Sequence, residues 1–279
     1  MRAFDGIMEK LRAKVNAKIN LNLFITGKAG SMHTLDSLMH SVTLFDTVTM
    51  SRGYGVYMDG VQDDKNCLWK VLRKMEEYDL PKVRFDIQKG IPMCAGLGGS
   101  SADMAAGIVL VREGFGVDIP AIELGSDVAF MVDGGLARVS GIGEKVEKLN
   151  ALELNLVIAK GVGGVSTKDA YEKFDLLGEQ NEVASIELIS ALNSGDLVNA
   201  SKYLHNDLQK VAFEINPEVH RVYDEMKKLT PCTLMSGSGS AVFGIFESEE
   251  SAVIAKEKLV DLAEFVEVCK TTPIGVSLE

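Results

Sequence analysis

The chain has 279 residues, 46% of them hydrophobic and 25% charged, enough apolar material for two ordinary domains with real cores. A net charge of −11 lacks the basic footprint of a nucleic-acid binder, and no apolar run approaches the length of a membrane span. Cys67, Cys94, Cys232 and Cys269 are scattered without a C-x-x-C pair, and the histidines His33, His40, His205 and His220 form no ligand cluster, which excludes a disulfide framework or a recognisable zinc site. With no signal-peptide stretch in the first sixteen residues, a cytoplasmic protein with reduced cysteines is expected.

Residues 15–27 alternate strictly, with Val15, Ala17, Ile19, Leu21 and Leu23 on one side and Asn16, Lys18, Asn20 and Asn22 on the other. That pattern predicts a half-buried strand. Residues 34–45 place Leu35, Leu38, Met39 and Val42 at helical spacing, and 65–78 read as a second helix. A strand is expected over 82–92, then a glycine-rich loop opening an alanine-rich helix, then a hairpin over 136–149. Near residue 150 the character changes. A strand at 152–161 precedes helical segments at 167–176, 182–193, 197–213 and 216–228. The chain then runs strand, loop and strand through "CTLMSGSGSAVFGIFES", a helix from 248, and a final strand at 264–269. Strands and helices mix without regular βαβ alternation, so the expected class is α+β, divided into 1–150 and 151–279.

The stretch "IPMCAGLGGSSADMAAG" at 91–107 is open to two readings. Glycine lets the backbone approach a phosphate, and a helix N-terminus offers unpaired N–H groups and positive dipole. Equally, it is a strand-to-helix turn capped by Ser100, Ser101 or Asp103. It is neither a Walker A loop nor a dinucleotide fingerprint, and the loop alone leaves both readings standing.

The wider pattern adds a resemblance. Pro92 to Ala102 is similar to the phosphate-binding motif of the GHMP small-molecule kinases. "VNAKINLNL" resembles that family's N-terminal strand, and "LMSGSGSAVFGIF" its C-terminal glycine loop. "LGSDVAFMVDGGLARVSGIGE" (124–144), "VSTKDAY" (165–171) and "NDL" (206–208) add to the match in order. They are most similar to the branch whose acceptor is 4-diphosphocytidyl-2-C-methyl-D-erythritol, in non-mevalonate isoprenoid biosynthesis. The sequence departs from that branch at Met32, where an aromatic is usual, and in a shortened connection before Asp127.

The resemblance implies a two-domain GHMP kinase fold, with an N-terminal domain like ribosomal protein S5 domain 2 and a ferredoxin-like C-terminal domain. It implies an ATP-dependent kinase using Mg²⁺, acting on the 2-hydroxyl of a small-molecule acceptor as a monomer or homodimer, without nucleic-acid or membrane partners. Asp127 would take or orient the acceptor's proton, and Lys18 would stabilise charge on the transferred group. Pro92, Gly96, Leu97, Gly98, Gly99, Ser100, Ser101 and Ala102 would bind the nucleotide, with Ser101 on the magnesium side. Asn20, His33, Thr167, Tyr171, Ser236, Gly237, Ser238 and Gly239 would contact the acceptor, its base stacked on Tyr171 with position 32 as the opposite platform. Asn206 and Asp207 match a family motif, although helix packing or capping explains them as well. Alternatives are a GHMP kinase acting on homoserine, mevalonate or a sugar, and a non-catalytic nucleotide-binding descendant.

Overall fold

A computed structural model of the chain describes residues 10–177, 183 and 185–279. The first strand, β1 (Lys10–Asn20), hands over to β2 (Phe24–Ala29), which hairpins into β3 (Met32–Arg52). β3 is the spine of the first sheet. It pairs antiparallel with β1 along one edge, from Lys10↔Ser51 to Asn20↔Met39, with a bulge at Asn16/Ala17.

The helix expected over 34–45 is therefore a strand. Residues 36–42 of β3 are all buried, so both its faces are covered and period-2 alternation is lost. A strand apolar on both faces imitates helical spacing over so short a window, and the ladder partners decide the outcome.

β4 (Gly55–Met58), β5 (Val61–Gln62), helix α1 (Trp69–Glu77) and β6 (Val83–Gln88) follow. The glycine loop then opens α2 (Gly99–Phe115), and a short α3 (Val128–Asp133) precedes the expected hairpin of β7 (Leu136–Gly141) and β8 (Lys145–Leu149). Beside β1, β3 pairs with β6 over 47–52 and with β7 over 35–40. α2 is buried nearly all round from Ala102 to Val111, as a helix covered by a sheet and other helices must be.

The second sheet is built on β9 (Asn155–Lys160). Helices α4 (Thr167–Asp175), α5 (Ser185–Asn193), α6 (Leu197–Ala200), α7 (Gln209–Ile215) and α8 (Pro217–Lys227) come next. β10 (Thr233–Met235), β11 (Ala241–Phe246), α9 (Glu249–Leu259) and β12 (Phe265–Lys270) complete an antiparallel sheet in the order β10-β11-β9-β12. Alternate residues of β9 serve two cores. Val157 and Ala159 pack with Val219, Val222, Ala252 and Ala255, whereas Leu156 and Ile158 join the large core shared with the first sheet.

The helix expected over 197–213 is broken into α6 and α7, because Asn206 leaves helical conformation to bridge Leu23. Of the segment 182–193, residues 182 and 184 lie outside the described residues, as do residues 1–9 of the N-terminal stretch. The last strand, β13 (Val276–Leu278), returns to the first sheet and pairs with β1. Among the described residues no helix is long and apolar enough to cross a membrane.

Candidate active site

The end of β1, the glycine loop with the start of α2, the starts of α3 and α4, and the β10–β11 loop surround a cleft of about 590 Å³. Gly96 and Gly98 both have positive φ, +73° and +77°. Gly98 is the N-cap of α2 and no side chain caps that end, so the serine-cap reading of the loop fails. Ser100 and Ser101 lie inside the helix and line the cleft. An uncapped N-terminus facing a cleft is a site for an anion.

Asp103 does not cap either. It is buried against Lys89, with Oδ2 accepting from Nζ at 3.0 Å, while Lys89 also binds Asp46. Asp46 accepts from the backbone N–H groups of Gly90 and Ile91, which ties the cluster to the approach of the loop. Burial, opposed by Lys89 and reinforced by Asp46, pushes the Asp103 carboxyl up to about 7.

Lys18 lies on the polar side of β1, but that side is not solvated: Lys18, Asn20 and Asn22 are 4%, 0% and 0% exposed. The end of the strand expected to be half-buried is thus fully buried, with Lys18 and Asn20 facing the site and Asn22, beyond its end, bonded to Ser185 Oγ and Leu38 N. Lys18 Nζ donates to Asn20 Oδ1 and stands 3.5 Å from Asp127 Oδ2. Asn20 Nδ2 in turn donates to Ser37 Oγ at 2.8 Å. Asp127 occupies the N-cap position of α3, yet its side chain makes no capping hydrogen bond. Its carboxylate is committed to Lys18 and the cleft.

The C-terminal glycine loop locks onto the first. Ser236 Oγ donates to Gly96 O at 3.0 Å and accepts from Asn20 N at 3.2 Å. Ser240 N and Ala241 N donate to Cys94 O and Ala95 O. Ser238 Oγ lies 2.8 Å from Thr167 Oγ1 at the start of α4. Asn206 holds the loop from below, donating through Nδ2 to both Met235 O and Gly237 O at 2.8 Å.

Most of the expected site residues line this cleft: Lys18, Asn20, Pro92, Gly96 to Ser101, Asp127, Thr167, Tyr171 and Gly237 to Gly239. Three sit differently. Ala102 is fully buried in the core and its N–H closes the first turn of α2 onto Gly98 O. Ser236 is buried and acts as the joint between the loops. His33, not Met32, covers a face of Tyr171, with ring centroids 4.6 Å apart, and Met32 is 48% exposed.

Lys89, Asp46 and the anchoring role of Asn206 escaped the sequence reading. A lone cation before an I-P-x-x-x-G loop was the available signal for Lys89. Asp46, a sequence-distant residue on β3, gave none. Among the described residues no group of three or more His, Cys, Asp or Glu side chains forms a metal cage.

Residues 66–141 match the GHMP kinases N terminal domain and residues 188–263 the GHMP kinases C terminal domain. The chain is 31% identical, over 97% of its length and 99% of the relative's, to the 4-diphosphocytidyl-2-C-methyl-D-erythritol kinase of Thermoanaerobacter pseudethanolicus. The chain belongs to the GHMP kinase family. The enzyme of that same name from Desulfitobacterium hafniense is 35% identical, with 85% of this chain and 87% of that one aligned. A crystal structure of 4-(cytidine 5'-diphospho)-2C-methyl-D-erythritol kinase superposes with a TM-score of 0.81 at 26% identity, covering 93% of this chain and 98% of that one. The α+β architecture is that of a GHMP kinase, an ATP-dependent small-molecule kinase, as the motifs implied.

Proposed function

We propose that the chain phosphorylates the 2-hydroxyl of 4-diphosphocytidyl-2-C-methyl-D-erythritol with ATP, in non-mevalonate isoprenoid biosynthesis. The observation that carries this reading is the 3.5 Å pairing of buried Lys18 with Asp127, whose partly exposed carboxylate opens on a cleft between two interlocked glycine loops. Identity above 30% to relatives of that activity supports the acceptor. We assign 1–150 to nucleotide binding and 151–279 to completing the acceptor side, in a cytoplasmic monomer or homodimer that needs neither nucleic acid nor membrane.

Phosphoryl transfer demands positioning and charge neutralisation along a nearly in-line path. The acceptor hydroxyl loses its proton to Asp127 as its oxygen bonds to the γ-phosphorus, and the β–γ bridging oxygen leaves with ADP. Lys18, already beside Asp127, offsets negative charge on the transferred group. The N-terminus of α2 and the Gly96–Ser101 backbone hold the phosphates. Mg²⁺ fits as the usual companion of the nucleotide, since Ser101 gives an oxygen donor in the cleft and magnesium takes most of its ligands from phosphate and water. When bound, it would neutralise phosphate charge.

The test is ADP release with 4-diphosphocytidyl-2-C-methyl-D-erythritol, homoserine, mevalonate and a sugar as acceptors. Only the first should be turned over efficiently. Asp127→Asn should lower kcat by about 10²–10⁴ with ATP binding retained, the usual worth of a positioned proton acceptor. Near-native kcat in that variant removes Asp127 from the chemistry.

A further inference from the structure

Phosphoryl transfer makes no use of one contact between the β2–β3 hairpin and α4. Lys28 and His33 are cross-strand partners near the hairpin tip. Both reach the same carboxylate on the opposite domain: Lys28 Nζ lies 2.6 Å from Asp175 Oδ2, and His33 Nε2 lies 2.7 Å from Asp175 Oδ1. The His33 ring is stacked on Tyr171 at 4.6 Å and 26°. Tyr171 and Asp175 stand one turn apart on α4, so a single helix face presents the ring and the carboxylate that secures the imidazole covering it.

The chemistry of this trio is constrained. Hydrogen bonding from His33, and then from Lys28, holds the Asp175 carboxyl below its ordinary range, so it is an ionised acceptor. A carboxylate has nothing to donate, so the proton between the two groups must sit on His33 Nε2. That fixes the tautomer and orientation of the imidazole. The imidazole in turn limits where the Tyr171 ring can lie. Tyr171 lines the cleft and stands close enough to Asp127 for that charge, after burial, to help push its phenol up to about 12.

We propose that Asp175 is a positioning residue for the acceptor: acting through His33, it holds the Tyr171 ring at the acceptor end of the cleft. The proposal rests on reading the cleft as a kinase site with the acceptor against Tyr171. Preorganising one wall of a binding site lowers the ordering cost of the ligand that meets it, so the effect belongs in the acceptor's KM. Asp175 touches neither the phosphate loop nor the Lys18–Asp127 pair, so nucleotide binding and the chemical step do not depend on it. A plain strut between the domains would be served equally well by the Lys28 ion pair, and that difference makes the proposal testable.

The experiment is steady-state kinetics on the full chain with 4-diphosphocytidyl-2-C-methyl-D-erythritol and ATP, varied separately. Asp175→Asn should raise the acceptor KM about three- to fivefold, the scale of exchanging an exposed charge-assisted hydrogen bond for a neutral one. The KM for ATP and kcat should stay within about twofold. In a His33→Ala background the same substitution should change the acceptor KM by less than about twofold, because the two residues act in series. Lys28→Ala should leave the acceptor KM near the wild-type value, and Asp175→Glu should recover part of the loss. An equal effect of Asp175→Asn with and without His33, or a parallel rise in the KM for ATP, overturns the proposal. If Asp175→Asn does not fold, Asp175→Ser takes its place in the same two backgrounds, and an equal effect with and without His33 again overturns the proposal.

A separate readout needs no substrate. Long-range proton–nitrogen NMR of the unliganded wild type should show His33 protonated at Nε2, and a proton on Nδ1 alone overturns the proposal. Failure of the wild type to use the acceptor would instead overturn the functional reading.

Discussion

Gly96→Ala tests whether the two glycine loops act as one unit. A Cβ on Gly96 would lie 2.1 Å from Ser236 O, 2.9 Å from Gly239 N and 3.1 Å from Gly239 O, all backbone atoms of the second loop. Gly96 also sits at φ +73°, where an L side chain costs about 1 kcal/mol or more. Parting the loops by about 1 Å to relieve the overlap lengthens Ser236 Oγ–Gly96 O and its neighbours, each worth about 1 kcal/mol. The sum is about 3 kcal/mol, which is about 10² if it falls on kcat/KM. If the fold absorbs it instead, Tm should drop by about 5 °C. Gly195→Ala is the control: it has a similar φ of +71° but nothing within 4 Å of the added carbon, so it carries the strain without the clash. The assay is kcat/KM for both substrates together with thermal melting. If Gly96→Ala is no worse than Gly195→Ala in either measurement, the interlocked arrangement of the loops is wrong.

Three further expectations concern other parts of the molecule. Tyr171→Ala should raise the acceptor KM by about 10-fold or more, since stacking on a base is worth about 1–3 kcal/mol, and an unchanged KM means the base does not meet that ring. Asn206→Ala strips the side-chain donor from two carbonyls of the second loop and should lower stability by about 3 kcal/mol, read by urea unfolding; a loss under about 1 kcal/mol would show the loop holds itself. His40 is buried, donating from Nδ1 to Ser41 O and accepting at Nε2 from Leu152 N, and burial pushes it down to about 4. Its unfolded form takes up a proton first, so its stabilising contribution is full above pH 6.5 and is lost as pH falls towards 4. Between pH 7.5 and pH 5 the wild type should lose about 2 kcal/mol more than His40→Gln in urea unfolding, and equal slopes would refute the assignment.

Much of the site was legible because its parts are local. A glycine loop opening a helix, a lysine two residues from an asparagine on a strand, and a serine–glycine turn between apolar runs each announce themselves within a few residues. What the sequence hid is what depends on distant partners. β3 reads as a helix because burial on both faces erases the alternation that marks a strand. β13 carries too short a pattern to detect, and only its pairing with β1 makes it a strand. The burial of Lys18, Asn20 and Asn22 was invisible for the same reason: alternation shows which side chains share a face, not what covers that face. Elements distant in sequence do the covering: the loop that begins at Ser236 closes on Lys18 and Asn20, and Ser185 meets Asn22.

The connection before Asp127 is short, yet it delivers that side chain to Lys18. α2 ends at Gly116 in the left-handed conformation, and only a three-residue 3₁₀ turn, Ala121–Glu123, stands between it and Asp127. A connection this short has little structure of its own to fix its exit. The burial of Ile119 and Leu124 supplies part of that restraint. The rest comes from α1, where Lys70 and Lys74 lie one turn apart. Lys70 Nζ donates to Leu124 O at 3.0 Å, and Lys74 Nζ pairs with Glu123 at 2.9 Å. Of the two, the Lys70 contact matters more, since it satisfies a backbone carbonyl in a partly buried setting, whereas the Lys74–Glu123 pair is exposed and screened. On the other side, Gly143 packs so closely on Ser126 that a Cβ there would fall 2.6 Å from the serine side chain. The segment is thus clamped from both sides immediately before Asp127, and the carboxylate arrives 3.5 Å from Lys18.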